Sequence, residues 1–443
     1  MRLIEFTFKV SLINPVIIPR AEHGISRQQI SDKALKVLYR LHEAGFRACL
    51  VGGCVRDLLL GLRPKDFDVA TDARPEQVRE VFDNCRLIGR RFRLAHVHFG
   101  RDIIEVATFR GQDAAEDDAD DARLIDDSKE GRIVRDNVYG TLEEDVWRRD
   151  FTVNALYYDI ANFSIIDYVN GMQDLQAGVI KLIGDPEARF HEDPVRLLRA
   201  VRFTAKLGFV LDPATEKQVL PLASLLAEMP KARLYDEVLK LFQSGHAVRS
   251  LVLLRQYDLF RHLFPLTEAC LQHDGELLLS MLNQALSNTD ARVASGRGLN
   301  PAFLYSVMLW APMMKKAGYA VQDASPIMVD LQDAAGDVLD GQASATAMPR
   351  RYSAMVREIW AMQPRLERYQ GQRALLQLSS PAFRAGYDFL CLRAPLNPVL
   401  AERAAWWTEL QEQNPVEQKN LAQALIKEKS DKPRRRRRVR RER

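Results

Sequence analysis

Residues 50–71 read LVGGCVRDLLLGLRPKDFDVAT: an apolar strand, a Gly-Gly turn, a short helix, and a second strand with Asp66 and Asp68. Gly52 and Gly53 let the backbone come close to a ligand and aim amide N–H groups at it, where the next helix presents its positive end. A phosphate suits that place. Alternation along the second strand puts Asp66 and Asp68 on one face, and paired carboxylates repel unless a cation lies between them. A Gly-Gly pair alone marks only a tight turn. The acids that follow are what point to a nucleoside triphosphate with its metal ions. Arg56 lies on the short helix, and Asp57 is placed to orient it.

Upstream, Ile30, Ala34, Leu35, Leu38 and Leu41 recur at helical spacing over Ser26 to Ala44, and Gly45 ends the run. Residues 1–25 show no period and read as a mobile arm. Their apolar start is broken by Glu5, Lys9, Asn14 and Pro15 and has no small-residue cleavage site, which argues against a signal peptide. Downstream, Pro75 opens a helix over Glu76 to Asp83. His96 and His98 share one face of a strand; with no third ligand nearby, packing or substrate contact outweighs a zinc pair. The next strand, DIIEVATFR from Asp102 to Arg110, carries Glu105 in an apolar run, where an ionised group is costly unless paired or metal-bound. Glu105 is thus a third candidate carboxylate, with a salt bridge as the alternative.

Residues 111–131 hold nine Asp or Glu and read as an acidic loop. Arg148, Arg149 and Asp150 then precede an expected helix over Phe151 to Tyr158. They suit either a helix cap or the recognition of phosphates and a ribose or metal. After an expected hairpin through Ile165 to Ile183 the pattern turns helical. Asp193-Pro194 starts a helix on which Arg196, Arg199 and Arg202 form a cationic stripe, either a solvated face or a polyanion contact. Arg233 and Glu237 stand at helical spacing on a further amphipathic segment. Trp406 and Trp407 suit a core better than a base-stacking platform.

The chain has 443 residues, with 47% apolar and 28% charged. Five scattered cysteines fit neither a disulfide scaffold nor a zinc site, and a reducing cytoplasm is expected. No apolar run is long enough to span a bilayer. From Lys427 to Arg443 eleven basic residues face three acids, a net of +8; the chain total of +4 leaves −4 for the rest. Such a basic tail is expected to be disordered and to favour polyanions.

Five stretches, LVGGCVRDLLLG with KDFDVAT, IIEVATFRG, RRDFTVNAL, EDPVRLLRAVRF and ARLYDEVLKL, occur in the order and spacing of the class II nucleotidyltransferases. The chain therefore resembles that family, which comprises bacterial poly(A) polymerases and CCA-adding tRNA nucleotidyltransferases. The resemblance implies an α+β fold, with a polymerase-beta-like mixed-sheet head over 26–170. An all-α neck over 171–245 and a body and leg over 246–426 follow, then the tail. It implies that Asp66 and Asp68, beside Glu105, hold two Mg²⁺ ions, and that Asp150 is catalytic with them. Gly52, Gly53, Arg56 and Arg149 would meet the phosphates of ATP, and Asp193, Arg196 and Arg199 the incoming nucleotide. Partners implied are RNA 3′ ends, ATP, and RNA-decay and RNA-chaperone proteins, met by a monomer.

An acid with an arginine can exclude guanine and uracil but cannot separate adenine from cytosine, because adenine and cytosine present donor and acceptor in the same order. The flanking stretches VIIPRAEHGISR, GRRFRLAHVHFG and NPAFLYSVMLW, with the Arg-rich tail, resemble the poly(A) branch. The expected activity is therefore template-independent AMP addition that marks RNA for decay. CCA addition is the alternative, and a non-catalytic RNA-binding protein is a weaker one, since such a module needs no carboxylates that repel RNA.

Overall fold

The computed structural model describes residues 14–89, 93–111, 139–273, 275–367 and 372–430. Of the acidic loop 111–131 all but Gly111, and of the basic tail 427–443 all beyond Ser430, lie outside them; Lys427 to Ser430 belong to the helix Pro415–Ser430 and not to a disordered tail. The chain divides into two compact units after Leu222. That division differs from the boundaries at 170 and 245, because residues 171–222 stay with the head through the Phe151–Leu182 bridge and the Arg199–Asp150 ion pair.

The first unit is built on a mixed sheet. Its strands are β1 (Val16–Ile18), β2 (Ala48–Val51), β3 (Asp68–Thr71), β4 (Cys85–Ile88), β5 (Leu94–Phe99), β6 (Asp102–Thr108), β7 (Tyr157–Asp159) and β8 (Ile165–Asp167). They lie in the order β1-β8-β7-β2-β3-β6-β5-β4. The β3–β6 pair is parallel and the other pairs are antiparallel. The helices are α1 (Asp32–Glu43), α2 (Gly53–Leu59), α3 (Pro75–Val81), α4 (Leu142–Trp147), α5 (Gly171–Ala177), α6 (Pro186–Glu192), α7 (Val195–Leu207) and α8 (Pro213–Val219).

The Ser31 hydroxyl caps α1 by accepting from the Lys33 amide, and the helix packs on β2 and β3 with Ala34, Val37, Leu38 and Leu41 buried. Full burial of each leucine contributes about 1.5–3 kcal/mol. On the opposite face Cys49, Val51, Ala70, Tyr157 and Ile166 pack with Phe109, Leu142 and Val146 of the α4 region. The central strands are thus covered on both sides, and β2 is buried at every position.

Three local expectations change. Residues 151–158 form no α-helix: Thr152–Asn154 is one 3₁₀ turn and the chain enters β7, which pairs with β2 and β8. The stretch 165–183 is β8, α5 and a short strand β9 (Val179–Ile180), not one hairpin. β9 pairs in parallel with β10 (Val210–Leu211), while the bridge between Phe151 and Leu182 and the Ile183 amide donating to the Asp150 carbonyl keep 171–222 with the head. Of the expected mobile arm, residues 16–18 are instead the edge strand β1, registered Val16 to Asp167.

The second unit is helical among its described residues, from a 3₁₀ turn at Ala223–Glu228 to the helix Pro415–Ser430. Trp406 and Trp407 lie in its core beside Phe383, Leu390 and Leu410, as expected of core residues. Buried Arg393 donates to Gln363, Glu367, Ser325 and the Asp323 carbonyl, and lies over Trp310.

Candidate active site

The register of the central strands assembles the site. Val51, the residue before the Gly-Gly turn, pairs with Asp68. On its other side Asp68 pairs with Glu105, and Glu105 with His96. Asp68 therefore opens β3 with the turn on one flank and a second carboxylate on the other, while Asp66 stands exposed two residues earlier. Glu105 is about half exposed (53%), 3.7 Å from His96 Nε2. Its side chain stands on the exposed face of an interior strand, alternating with buried Ile104 and Val106. Asp68 also reaches solvent, yet its carboxyl is hemmed in. That desolvation, then the Glu105 charge, pushes its pKa up to about 6 against a smaller opposing pull from Arg149.

Gly52 has φ +77° and ψ −138°, a conformation only glycine adopts without strain. A Cβ there would also stand 3.6 Å from Arg149 Nη1. Arg149 is fixed from behind: its Nε donates to the Tyr157 hydroxyl at 2.6 Å and its Nη2 to Asp145 Oδ2 at 3.0 Å. The same Asp145 oxygen accepts the Tyr157 hydroxyl at 2.5 Å. Burial pushes the Asp145 carboxyl up, but Arg149 and Tyr157 together outweigh it and hold it below the usual range. Arg149 Nη1, beside Gly52, makes no hydrogen bond among the described residues, so one edge of the guanidinium is open to an anion at the turn.

Asp150 is buried (8% exposed). Its Oδ2 accepts from Arg199, with Nε at 2.6 Å and Nη2 in the same ion pair. Its Oδ1 accepts from the Phe151 amide and Asn154 Nδ2. Burial raises its pKa and Arg199 more than reverses the shift. Arg56 is placed beneath the turn rather than in it. Its Nε and Nη2 donate to Asp57 Oδ1 at 2.9 and 2.6 Å, and its Nη1 to Asn154 Oδ1. Arg56, Arg199 and Arg202 lie 5.2, 5.6 and 4.5 Å from the ring centre of Phe203. The arginine stripe of α7 is thus no solvated face.

Asp193 and Arg196 sit at the corner between α6 and α7. Asp193 Oδ1 accepts from the Val195 amide, and Arg196 Nη1 donates to the Arg189 carbonyl and to Glu192, each at 2.9 Å. The structure therefore groups Asp66, Asp68 and Glu105 along one line, and Gly52, Arg149, Asp150 and Arg199 along another. Asp193 and Arg196 form a third group. Sequence reasoning passed over Asp145, Tyr157, Asn154 and Phe203. The spacing of four from Asp145 to Arg149 and from Asp150 to Asn154 was the available signal.

Among the described residues no group of three or more His, Cys, Asp or Glu is arranged to hold a metal ion. The donor set present is a few exposed carboxylates, a set that suits Mg²⁺, which is bound through one or two carboxylates with substrate phosphates and water completing its octahedron. A Gly-Gly turn at the start of α2, flanked in register by carboxylates on a mixed sheet, is the arrangement expected of a nucleotidyltransferase head.

The comparisons agree. Residues 48–181 match the family Poly A polymerase head domain, 208–271 the family Probable RNA and SrmB- binding site of polymerase A, and 323–442 the family Polymerase A arginine-rich C-terminus. Poly(A) polymerase I of Escherichia coli O6:H1 is 49% identical over 424 residues, covering 95% of this chain and 90% of that protein. Poly(A) polymerase I of Haemophilus influenzae is 46% identical, covering 92% and 90%. A solved tRNA-processing enzyme in its apo form has a TM-score of 0.60 at 23% identity, covering 88% of this chain and 94% of its own, and shares the fold. The chain belongs to the poly(A) polymerase I family and is a polynucleotide adenylyltransferase.

Proposed function

We propose that this adenylyltransferase, which adds AMP from ATP to RNA 3′ ends without a template, works through the Asp68 row of its head. The observation that supports this reading is the register Val51–Asp68–Glu105, which puts the Gly-Gly turn and a second exposed carboxylate on the two flanks of one residue. Gly52 and Gly53 offer backbone amides to the triphosphate, and Arg149 Nη1 adds a charged donor. Asp145 and Tyr157 hold that donor in place. Asp66 and Asp68, with Glu105 beside them, would hold Mg²⁺. When bound, the ions supply a lowered pKa for the RNA 3′-hydroxyl and charge neutralisation on the triphosphate.

Asp150 orients Arg199 toward the nucleotide, and Arg56 fixes the root of α2. Asp193 and Arg196 are the proposed base readers. RNA marked for decay is the proposed product, and no described helix is long and apolar enough to cross a membrane.

The test is incubation of the purified protein with each nucleotide separately and a generic RNA primer, resolved by product length. Long tails with ATP alone are expected. Preference for CTP plus ATP on tRNA lacking its CCA end, with no long tails, would refute it. Asp68→Ala should abolish incorporation while sparing RNA binding; retained incorporation overturns the metal assignment.

A further inference from the structure

A polar basin of about 1000 Å³ lies in the head at the end of β3 and β6, walled by residues 61–68, 101–105 and the start of α1. Asp66, Asp68 and Glu105 line one side of it. Around the rest stand Arg63, Lys65 and Arg101, all exposed, whose side chains form no hydrogen bond or ion pair among the described residues. The fourth cation, Lys33, is already tied to Asp102. The four bases of the lining are matched by four acids, Asp66, Asp68, Asp102 and Glu105, so the basin carries no net charge, and Arg63, Lys65 and Arg101 act as separate donors for phosphate rather than as a field.

The position of the basin decides what it can hold. Asp68 has the Gly52 turn on its β2 flank and Glu105 on its β6 flank, and neither Gly52, Gly53 nor Arg149 lines the basin. In-line displacement keeps the attacking and leaving oxygens on opposite sides of phosphorus. With the triphosphate at the turn, the attacking 3′-oxygen must come from the other flank.

We infer that the basin is the seat of the acceptor strand: Arg63, Lys65 and Arg101 contact the last phosphodiesters of a single-stranded RNA whose 3′-hydroxyl lies at Asp68. This rests on the polymerase reading given above. Charge and not base edges would be read there, so the subsite accepts RNA 3′ ends of any sequence.

The experiment is steady-state kinetics of the full chain with ATP and an oligo(A) primer, comparing wild type with the triple variant Arg63→Gln, Lys65→Gln, Arg101→Gln. The primer KM is expected to rise about tenfold, and the slope of log KM against log salt to flatten by about 2, from three contacts at about 0.7 each. The ATP KM should stay within about twofold, since the turn is untouched. An unchanged primer KM and slope overturns the inference. So does a rise in ATP KM with primer KM unmoved, which assigns the basin to the triphosphate or to departing pyrophosphate. If the triple variant does not fold, Arg101→Gln and Lys65→Glu are tested singly, with the same split expected. Absence of AMP addition by the wild-type protein would instead sink the polymerase reading itself.

Discussion

Asp145→Asn tests whether Arg149, whose Nη1 stands beside Gly52, is held by its buried partners. Asp145 is 7% exposed and accepts Arg149 Nη2 at 3.0 Å, the Tyr157 hydroxyl at 2.5 Å and the Arg110 amide at 3.2 Å. At 3.0 Å the Coulomb attraction to Arg149 is about 5 kcal/mol for an effective dielectric of about 20. Removing one member of a buried pair costs about 3–5 kcal/mol, because the other charge is left unpaired. Asparagine keeps one oxygen for one donor, so a loss near the lower end, about 3 kcal/mol, is expected. For a unit of this size that lowers Tm by about 6–12 °C.

Scanning calorimetry of the full chain reads the melting of the head. Parallel kinetics should show the ATP KM raised with the primer KM unmoved, a split that loss of stability alone does not produce. A Tm within about 1 °C of wild type, together with an unchanged ATP KM, would refute the assignment of Asp145 as the positioning residue for Arg149.

Other perturbations have defined outcomes. The carboxyl of Asp150 is held below its ordinary range in the fold, so its stabilisation is present above about pH 4 and is lost as pH falls through the lower native value. Asp150→Asn should flatten the acid limb of head stability, and a limb of unchanged slope in acid titration of Tm contradicts this. Arg393→Met removes a fully buried cation from Glu367, Gln363 and Ser325 and should destabilise the second unit by about 3–5 kcal/mol in urea unfolding. Phe203→Leu should reduce the preference for ATP over CTP several-fold in single-nucleotide assays; an unaltered ratio rules out Phe203 as a spacer.

The strand, turn, helix and strand of residues 48–71 were legible because each step has a local cause: apolar β-formers, a glycine at φ +77°, and an acid opening the next strand. Glu105 stood out as a third candidate carboxylate because an ionised group in an apolar run is conspicuous, but its register beside Asp68 comes from the β3–β6 pairing and is found only in the fold. Residues 151–158 were not legible. A strand buried on both faces carries no alternation, so FTVNALYY offers aromatic and β-branched residues without a period. Its strand state comes from β2 and β8, partners found only in the fold. The edge strand at Val16–Ile18 was hidden likewise, since its partner is about 150 residues away. The burial of Arg196 and the half-burial of Arg199 and Arg202 also depend on distant groups, among them Asp150, 49 residues before Arg199.

Phe203 links the two halves of the site. Arg56 comes from α2, the helix that begins at the phosphate turn, and Arg199 and Arg202 come from α7, yet all three guanidinium groups lie over this one ring. Their mutual repulsion is offset by Asp57 at Arg56 and by Asp150 at Arg199, and Phe203 packs edge-on against Phe151 at 5.6 Å. The ring therefore fixes the distance between the turn that would hold the triphosphate and the helix that would read the base. An acid and an arginine can reject guanine and uracil by hydrogen-bond order, but adenine and cytosine present the same order. What still differs between them is reach, because a purine extends further from its ribose than a pyrimidine. Selection of A over C is then expected to fall to spacing, and Phe203→Leu is expected to let α7 approach the turn and admit the shorter base.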